Sequence, residues 1–281
     1  MFKVENLVKE YGSFKLDGVS FNIRRGFVTG MVGANGAGKS TTLKCMLGIT
    51  QADGGTVTAF GTNLTDGEKV IKQKVAFSSG GVDYYGYEKC SRLVKYYKTF
   101  YGDWDDERFN YYIKKFEIDL NKRIKDLSAG MKVKFSLALA LARDCELFVF
   151  DEPTSGLDPV SRDEIIDEFR RIIESGEKSI VYSTHITSDL DKCADFIVLI
   201  DGGKILLDDE VEKVLSGHYL TGGGLDEYEK IKDFAIGVKK NKYGFTALIK
   251  AENAVKGLTY SRPTLEDIVV YYNRKNREDK Q

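Results

Sequence analysis

A glycine-rich segment from Gly33 to Thr41 constrains this chain more than any other feature. It is Gly-Ala-Asn-Gly-Ala-Gly-Lys-Ser-Thr, which satisfies the pattern G-x-x-x-x-G-K-[ST] of a phosphate-binding loop. The apolar run 27–32 before it suits a buried strand, and residues 39–47 after it carry apolar side chains at helical spacing. The sequence therefore predicts a strand, a phosphate loop and a helix in that order.

The residue types in this loop suit a triphosphate. Gly33, Gly36 and Gly38 have no Cβ, so the backbone can curl around phosphates with its N–H groups pointing inward. The helix start adds positive potential at the same place. The Lys39 ammonium can lie between the β- and γ-phosphates, and the Ser40 hydroxyl can ligate Mg²⁺. We predict an ATP site formed by the whole loop: Gly33, Ala34, Asn35, Gly36, Ala37, Gly38, Lys39, Ser40 and Thr41.

Composition and charge limit the class of protein. The 281 residues carry a formal net charge of −1, which argues against a nucleic-acid partner because such proteins have a strong basic excess. The 4 cysteines are scattered without a Cys-x-x-Cys pair, so we expect reduced thiols. No apolar run approaches the length of about 18 residues that spans a bilayer. We therefore expect a cytoplasmic protein that meets a membrane only through a partner.

Alternating strand and helix patterns predict an α/β fold, namely a P-loop NTPase (RecA-like) core. The patterns at 2–7 and 19–23 predict an antiparallel β subdomain, with a turn around Tyr11-Gly12 and Asp17-Gly18. A mainly helical insert is expected over about 82–143. Three continuous apolar runs are typical of a parallel sheet that is covered on both faces: 146–150, 179–183 and 196–200.

The character of the chain changes near residue 216. We expect a nucleotide-binding domain over 1–215 and a small accessory segment over 216–281, without chemistry of its own. Gly222-Gly223-Gly224 predicts a hinge, and the pattern around 239–244 predicts a hairpin. Thr264 begins the last helix with a capping signature.

Asp151 and Glu152 follow one of the predicted buried strands. An acid at the carboxyl end of a strand beside a phosphate loop is suited to holding Mg²⁺, so we assign Asp151 to the metal together with Ser40. Glu152 would then polarise the water that attacks the γ-phosphate. On their own the two acids would be a solvated pair in a loop, but a phosphate loop in the same chain favours the catalytic role.

Two further elements predict a functional role only when their order in the chain is considered. Ser128 suits a helix N-cap, and Gly130 leaves backbone N–H groups open to an anion. His185 follows the predicted strand 179–183 and can donate a hydrogen bond to a γ-phosphate oxygen. Taken singly, they would be an ordinary helix start and a surface histidine.

The ordered motifs resemble the ATPase subunit of an ATP-binding cassette (ABC) transporter. The resemblance covers about residues 1–210 and rests on six elements: Tyr11, 33–41, 127–132, 147–152, 155–158 and His185. It implies that Tyr11 stacks on adenine and that Asp158 lies in a loop coupling two sites. It also implies that His185 is a γ-phosphate switch, which together with Lys39 and Glu152 completes the expected catalytic set.

The same resemblance implies a dimer and a membrane partner. In the family, the signature serine and glycine, here Ser128 and Gly130, contact the nucleotide of the opposite subunit, and we place Asp158 in the same interface. One phosphate loop and one signature per chain then require a homodimer or a heterodimer with a paralogue. The implied cofactors are ATP and Mg²⁺, and the implied partner is a separate transmembrane permease, which would hold the chain peripherally on the inner face of the cell membrane.

One stretch departs from the family pattern. The family usually places a Gln after the strand that enters the helical insert, where it touches Mg²⁺ and the membrane partner. The corresponding stretch 76–81 has neither Gln nor Glu, and Gly80 lies nearest the expected place, after Ser79. We expect water or another group to complete the metal shell. The departure bears on the rate of hydrolysis rather than on nucleotide binding.

A cluster of tyrosines follows this stretch. The resemblance places Tyr84, Tyr85 and Tyr87 where a membrane subunit docks, and aromatic residues favour interfaces. We expect these three to contact the permease. The alternative is that they pack the core of the helical insert.

The expected function is ATP hydrolysis that powers export of a peptide, antibiotic or drug. Asp103-Trp104-Asp105, the variant signature and the short C-terminal segment resemble the subfamily that serves small exporters. Two alternatives stay open. A soluble ABC-type ATPase with a non-membrane partner is disfavoured because such proteins usually carry two cassettes, and a low-turnover regulatory module gains support from the missing Gln.

Overall fold

The computed structural model describes residues 1–82 and 85–278, so Tyr84 lies outside the described residues. The strands are β1 Phe2–Tyr11, β2 Phe14–Ile23, β3 Val28–Val32, β4 Gly54–Ala59, β5 Thr62–Asn63, β6 Val75–Ser78, β7 Leu147–Asp151, β8 Ser179–Thr184, β9 Phe196–Asp201, β10 Lys204–Glu210, β11 His218–Gly223, β12 Gly237–Asn241, β13 Gly244–Lys250 and β14 Thr259–Ser261. The helices are α1 Lys39–Met46, α2 Leu64–Gln73, α3 Cys90–Phe100, α4 Asp106–Lys115, α5 Ala129–Leu141, α6 Pro159–Ile173, α7 Thr187–Cys193, α8 Val211–Ser216, α9 Leu225–Tyr228 and α10 Leu265–Glu278.

A six-stranded sheet in the order β10-β9-β3-β8-β7-β6 forms the centre of the molecule. All neighbouring strands in it are parallel except β10, which is antiparallel to β9. Successive side chains of a strand point to opposite faces, and both faces are covered here. In β7, Phe148 and Phe150 pack with the buried side of α6, whereas Leu147 and Val149 pack with that of α1. The predicted α/β core with buried parallel strands is confirmed.

An antiparallel sheet in the order β2-β1-β4-β5 lies beside the phosphate-loop helix. The predicted turn at Asp17-Gly18 is wrong, because Gly18 lies inside β2 with a φ of 70°. The pairing of β1 with β2 shifts register just there, between Leu7↔Val19 and Lys9↔Leu16. The glycine therefore serves a β-bulge, where the left-handed conformation is needed without a reversal of the chain.

The helical insert, expected over about 82–143, contains α3, α4 and α5. As predicted, Ser128 caps α5, and its Oγ accepts the Met131 N–H at 3.2 Å. A buried network ties the insert to the core, since Tyr112 donates to Glu168 of α6 at 2.7 Å and Lys115 Nζ lies 2.6 Å from the same carboxylate. Within the described residues, no helix combines the length and the apolar character needed to cross a bilayer.

The C-terminal strands form a sheet in the order β12-β13-β11-β14. The predicted hinge at Gly222-Gly223-Gly224 is wrong, because Gly222 and Gly223 belong to β11 and pair with β13. A Cβ on Gly222 would lie 2.9 Å from the Phe245 carbonyl oxygen, so glycine serves a close approach of two strands. The hairpin of β12 and β13 and the Thr264 cap, which accepts the Asp267 N–H at 3.2 Å, are present as predicted. The division at residue 215 stays a prediction.

Candidate functional site

The phosphate loop joins β3 to α1 at the carboxyl edge of the central sheet. Gly38 precedes α1 with a φ of 113°, and a Cβ there would lie 2.8 Å from Leu16 Cδ2. A Cβ on Gly33 would lie 2.2 Å from the Ile200 carbonyl oxygen, which no side chain tolerates. These two glycines are therefore required by their surroundings, and the loop has the compact form that can accept an anion.

Lys39 is only 5% exposed, and its ammonium lies within the loop. Its Nζ donates to the Gly33 carbonyl oxygen at 2.7 Å and lies 3.2 Å from Glu152 Oε1. A buried charge is tolerated only when it is paired and hydrogen-bonded, and both conditions are met here. The predicted cation of the phosphate loop and the predicted catalytic acid thus lie side by side.

Asp151 ends β7 with a side chain held by two hydroxyl groups. Ser40 Oγ donates to Asp151 Oδ1 at 2.9 Å, and Ser183 Oγ donates to the same oxygen at 2.6 Å. Ser183 also accepts the Glu152 N–H at 2.9 Å, so it orients both acids. Ser183 is not among the residues predicted from the sequence, although it lies in the neighbouring parallel strand β8 directly opposite Asp151.

The paired hydroxyl and carboxylate fit the oxygen ligands that Mg²⁺ prefers. This cation usually takes one or two protein oxygens and completes its shell with water and substrate phosphates. Among residues 1–82 and 85–278, no group of three or more His, Cys, Asp or Glu side chains is placed to hold a metal. Ser40 and Asp151 therefore suit a cation shared with a bound phosphate rather than one enclosed by protein.

Glu152 has an unusual backbone conformation for a residue with a side chain, with a φ of 54°. Left-handed conformations of this kind cost about 1–3 kcal/mol and are found where the surroundings enforce them, often at active sites. The Glu152 N–H is held by Ser183, and Glu152 Oε2 lies 2.9 Å from His185 Nδ1. The structure thus brings together the three predicted catalytic residues Lys39, Glu152 and His185.

A cavity of about 550 Å³ opens over the phosphate loop. Its walls are formed by residues 34–41 together with Phe14, Glu152, Ser155 and His185. This volume lies in the range of small-molecule sites, and its polar groups converge on the loop. Residues that follow the carboxyl ends of β3, β7 and β8 therefore line one common space.

Phe14, rather than Tyr11, is the aromatic residue in this wall. Tyr11 is 48% exposed, and the Lys9 ammonium lies 5.3 Å from its ring centroid. Phe14 begins β2 close to Gly38, whose Cβ would lie 3.0 Å from Phe14 Cζ. Phe14 is not among the residues predicted from the sequence, and the one signal for it is that it is the next aromatic residue along the chain after Tyr11. The adenine contact of Tyr11 stays a prediction.

The signature residues lie apart from this cavity. Ser128, Gly130 and Asp158 are not among the described residues that line it. A Cβ on Gly130 would lie 3.1 Å from Leu157 Cδ2, so the start of α5 sits close to the 156–158 loop. Asp158 caps α6, and hydrogen bonds from the Ser161 and Val160 N–H groups lower its pKa. The one chain does not bring these residues to its own phosphate loop.

Gly80 occupies the place where a Gln was expected. It has a φ of 73°, and a Cβ there would lie 3.3 Å from the Asp151 carbonyl oxygen. Gly80 lines a second cavity of about 510 Å³ with Lys132, Asp151 and Glu152. The backbone at Gly80 therefore contacts the strand end that carries the two acids, but it brings no side chain to them.

Comparison with known proteins gives a consistent result. Residues 16–155 match the family model described as ABC transporter. The linearmycin resistance ATP-binding protein LnrL of Bacillus subtilis is 30% identical over 212 residues, which cover 73% of this chain and 68% of LnrL. The daunorubicin/doxorubicin resistance ATP-binding protein DrrA of Streptomyces peucetius is 31% identical over 211 residues, covering 73% of this chain and 63% of DrrA.

The bacitracin transport ATP-binding protein BcrA of Bacillus licheniformis is 30% identical over 213 residues, covering 73% of this chain and 68% of BcrA. The chain thus spans between 63% and 68% of the length of these three relatives. Among solved structures, an ATP-binding subunit of an ABC transporter superposes with a TM-score of 0.67 at 23% identity, covering 76% of this chain and 91% of that chain. A dimeric ATP-binding cassette bound to ADP and Pi gives a TM-score of 0.66 at 22% identity, covering 75% of this chain and 99% of that chain.

Proposed function

Because this chain belongs to the ABC transporter family, we propose that it is an ATP-hydrolysing subunit that powers export through a separate membrane permease. The observation that carries the proposal is the meeting of Lys39, Ser40, Asp151 and Glu152 around one loop. Each of these residue types has a distinct task in phosphoryl transfer. Lys39, Ser40 and Glu152 line one cavity over the loop, and the Ser40 hydroxyl donates a hydrogen bond to Asp151.

The chain's own residues divide the work of hydrolysis. The loop N–H groups and Lys39 bind the β- and γ-phosphates. When ATP binds, the Lys39 ammonium leaves the Glu152 carboxylate and contacts phosphate oxygens instead. Ser40 and Asp151 would hold Mg²⁺, which when bound would supply positive charge to the phosphates. Glu152, released from Lys39, orients the attacking water and accepts its proton, while His185 positions the Glu152 carboxylate and the γ-phosphate.

The working form is a dimer in which each chain completes the other's site. Ser128, Gly130 and Asp158 lie outside the chain's own cavity, and the exposed start of α5 presents Ser128 to an anion from outside. Two identical chains or a pair of paralogues would satisfy this arrangement. The dimer sits at the inner face of the membrane through its permease.

The cargo is a peptide, an antibiotic or a drug. LnrL and DrrA are named for resistance to linearmycin and to daunorubicin or doxorubicin, and BcrA is named for bacitracin transport. A second function, a regulatory module with low turnover, is favoured by Gly80 alone, which brings no side chain to the acids. The measured rate of ATP hydrolysis distinguishes an export ATPase from such a regulatory module.

The decisive experiment compares the wild-type chain with Glu152→Gln. Phosphate release from ATP in the presence of Mg²⁺ should fall by at least about 100-fold in the variant, because the amide accepts no proton from water. ATP binding should persist, and gel filtration should show an ATP-dependent dimer. Unchanged phosphate release in Glu152→Gln would remove this residue from the base role, and a wild-type chain with no turnover would support the regulatory module.

A further inference from the structure

Thr154 and Asp189 form a buried hydrogen bond beside the nucleotide site. The Thr154 hydroxyl donates to Asp189 Oδ2 at 2.7 Å, and the two residues are 0% and 1% exposed. Thr154 lies in the turn that follows β7, whereas Asp189 lies in the first turn of α7. The bond therefore joins two segments that are 35 residues apart in the chain.

The segment that carries Thr154 continues directly from the catalytic acid. Thr154 lies two residues after Glu152, whose backbone has the left-handed φ of 54°. The Ser155 N–H donates to the Glu152 carbonyl oxygen at 3.2 Å, so residues 152–155 form a tight turn. A strained conformation persists only where the surroundings enforce it, and the anchored Thr154 side chain supplies such a constraint.

The segment that carries Asp189 is connected to His185. The Asp189 N–H donates to the Ile186 carbonyl oxygen at 3.2 Å, and the Ile186 N–H donates to Thr184 Oγ1 at 3.0 Å. His185 lies between these two contacts, and its Nδ1 is 2.9 Å from Glu152 Oε2. The two segments therefore meet twice, once through Glu152 and His185 and once through the buried bond.

The buried Asp189 carboxylate depends on its partners. Burial raises the pKa of Asp189, and the Thr154 hydrogen bond and the Arg162 charge oppose that rise. Arg162 Nε lies 3.9 Å from Asp189 Oδ1, and within residues 1–82 and 85–278 this buried N–H has no hydrogen-bond acceptor. At that distance Arg162 supplies charge but no hydrogen bond. The hydrogen bond from Thr154 therefore orients the carboxylate.

We propose that Asp189, through Thr154, is a positioning residue for ATP hydrolysis. This inference rests on the proposed function. The buried bond holds the turn that carries Glu152 against the start of α7, and thereby keeps the Glu152 carboxylate beside His185. Neither Thr154 nor Asp189 is among the described residues that line the nucleotide cavity, so both act through the alignment of Glu152 with the attacking water. A displacement of about 1 Å at such a site can slow a reaction by about 100-fold.

The test measures phosphate release by the full chain in the presence of Mg²⁺, which gives kcat and the KM for ATP. Thr154→Val removes the hydroxyl and keeps the volume of the side chain, so kcat should fall by about tenfold while KM stays the same. Thr154→Ser keeps the hydroxyl and should retain the wild-type kcat. Calorimetric titration should give the same ATP affinity for the wild-type chain and both variants.

Thr264→Val is the matched control, because the C-terminal segment contains a hydrogen bond of the same kind. The Thr264 hydroxyl donates to Asp267 Oδ2 at 2.7 Å, and neither residue is among the described residues that line the nucleotide cavity. This variant should keep the wild-type kcat. Equal kcat values in Thr154→Val and Thr264→Val overturn the proposal, and so does a Thr154→Ser variant that is as slow as Thr154→Val.

Asp189→Asn tests the same bond from its acceptor side, and it gives the answer if Thr154→Val does not fold. A neutral amide is a weaker acceptor than a carboxylate, so kcat should fall by about threefold or more. The double variant Thr154→Val with Asp189→Asn should be no slower than Thr154→Val alone, because the two substitutions remove one interaction. Fully additive losses, or an Asp189→Asn variant with the wild-type kcat, overturn the proposal.

The outcomes also separate this inference from the proposed function. If the wild-type chain hydrolyses ATP and Thr154→Val has the same kcat, the positioning role alone is overturned. If the wild-type chain does not hydrolyse ATP, the proposed function and the positioning role are overturned together.

Discussion

The nucleotide site and the helical insert around Lys89 and Arg123 handle charge in opposite ways. In the nucleotide site, Lys39 lies 3.2 Å from Glu152, and Asp151 accepts two hydroxyl hydrogen bonds. In the insert, Lys89 and Arg123 face each other in an antiparallel bridge, and within residues 1–82 and 85–278 neither side chain forms an ion pair. The first region is electrostatically complete before a ligand arrives, and the second is not. ATP must therefore displace the internal partner of Lys39, whereas Lys89 and Arg123 have no such partner among the described residues.

The largest effect should come from removing the internal cation of the nucleotide site. Lys39→Ala should weaken ATP binding in the presence of Mg²⁺ by about 100-fold, or about 2.7 kcal/mol, because a buried charge-assisted contact to phosphate is lost. Lys44→Ala, on the same helix but outside the cavity, is the matched control and should bind ATP normally. Isothermal titration calorimetry measures both. Equal ATP affinities of the two variants would show that ATP binding by the loop does not depend on Lys39.

A smaller effect should follow from a substitution that removes hydrogen bonds orienting Asp151 and Glu152 but keeps both acids. Ser183→Ala removes one of the two hydrogen bonds to Asp151 and the side-chain acceptor of the Glu152 N–H. We expect kcat to fall about tenfold, as for other residues that orient metal ligands, with the Mg²⁺ concentration for half-maximal rate raised and ATP affinity little changed.

Ser179→Ala, at the other end of β8, provides the control for that variant. Its hydroxyl accepts the Gly26 N–H at 2.8 Å, away from the acids. Phosphate release measured across a Mg²⁺ titration distinguishes the two variants. If both lower kcat alike without moving the Mg²⁺ dependence, Ser183 has a structural role only.

The smallest expected effect concerns the adenine. Phe14→Ala should weaken ATP binding about fivefold, or about 1 kcal/mol, by removing a stacking surface, while binding of inorganic tripolyphosphate stays the same. Tyr11→Ala serves as the paired variant, because Tyr11 lies on the same hairpin outside the cavity wall. If only Tyr11→Ala weakens ATP binding, Tyr11 contacts the adenine, as predicted from the sequence.

A local pattern was sufficient for the phosphate loop, whereas the two acids and His185 were assigned from their places at strand ends and from the order of the motifs along the chain. Each lies at the carboxyl end of a strand that its own apolar run reveals, and parallel strands bring such ends to one edge. Ser183 and Phe14 were missed because their roles depend on which strands become neighbours. The order β8-β7 and the β1–β2 pairing are tertiary facts that no local pattern carries.

Glycines were the main source of error in the fold. Gly18 was assigned to a turn and lies in a β-bulge, and Gly222 was assigned to a hinge and lies in a paired strand. Glycine is favoured wherever the backbone turns left-handed or another chain segment comes close, so its presence alone does not separate these cases. The helix α2 and the strand β10 were also not anticipated.

The central claim is that the loop ahead of Lys39 binds a triphosphate whose hydrolysis depends on the neighbouring acid. The most direct measurement is calorimetric titration of the purified wild-type chain with ATP in the presence of Mg²⁺. The account predicts saturable binding of one ATP per chain that Lys39→Ala severely weakens. Absence of any binding heat at several temperatures, with the chain folded by circular dichroism, would contradict it.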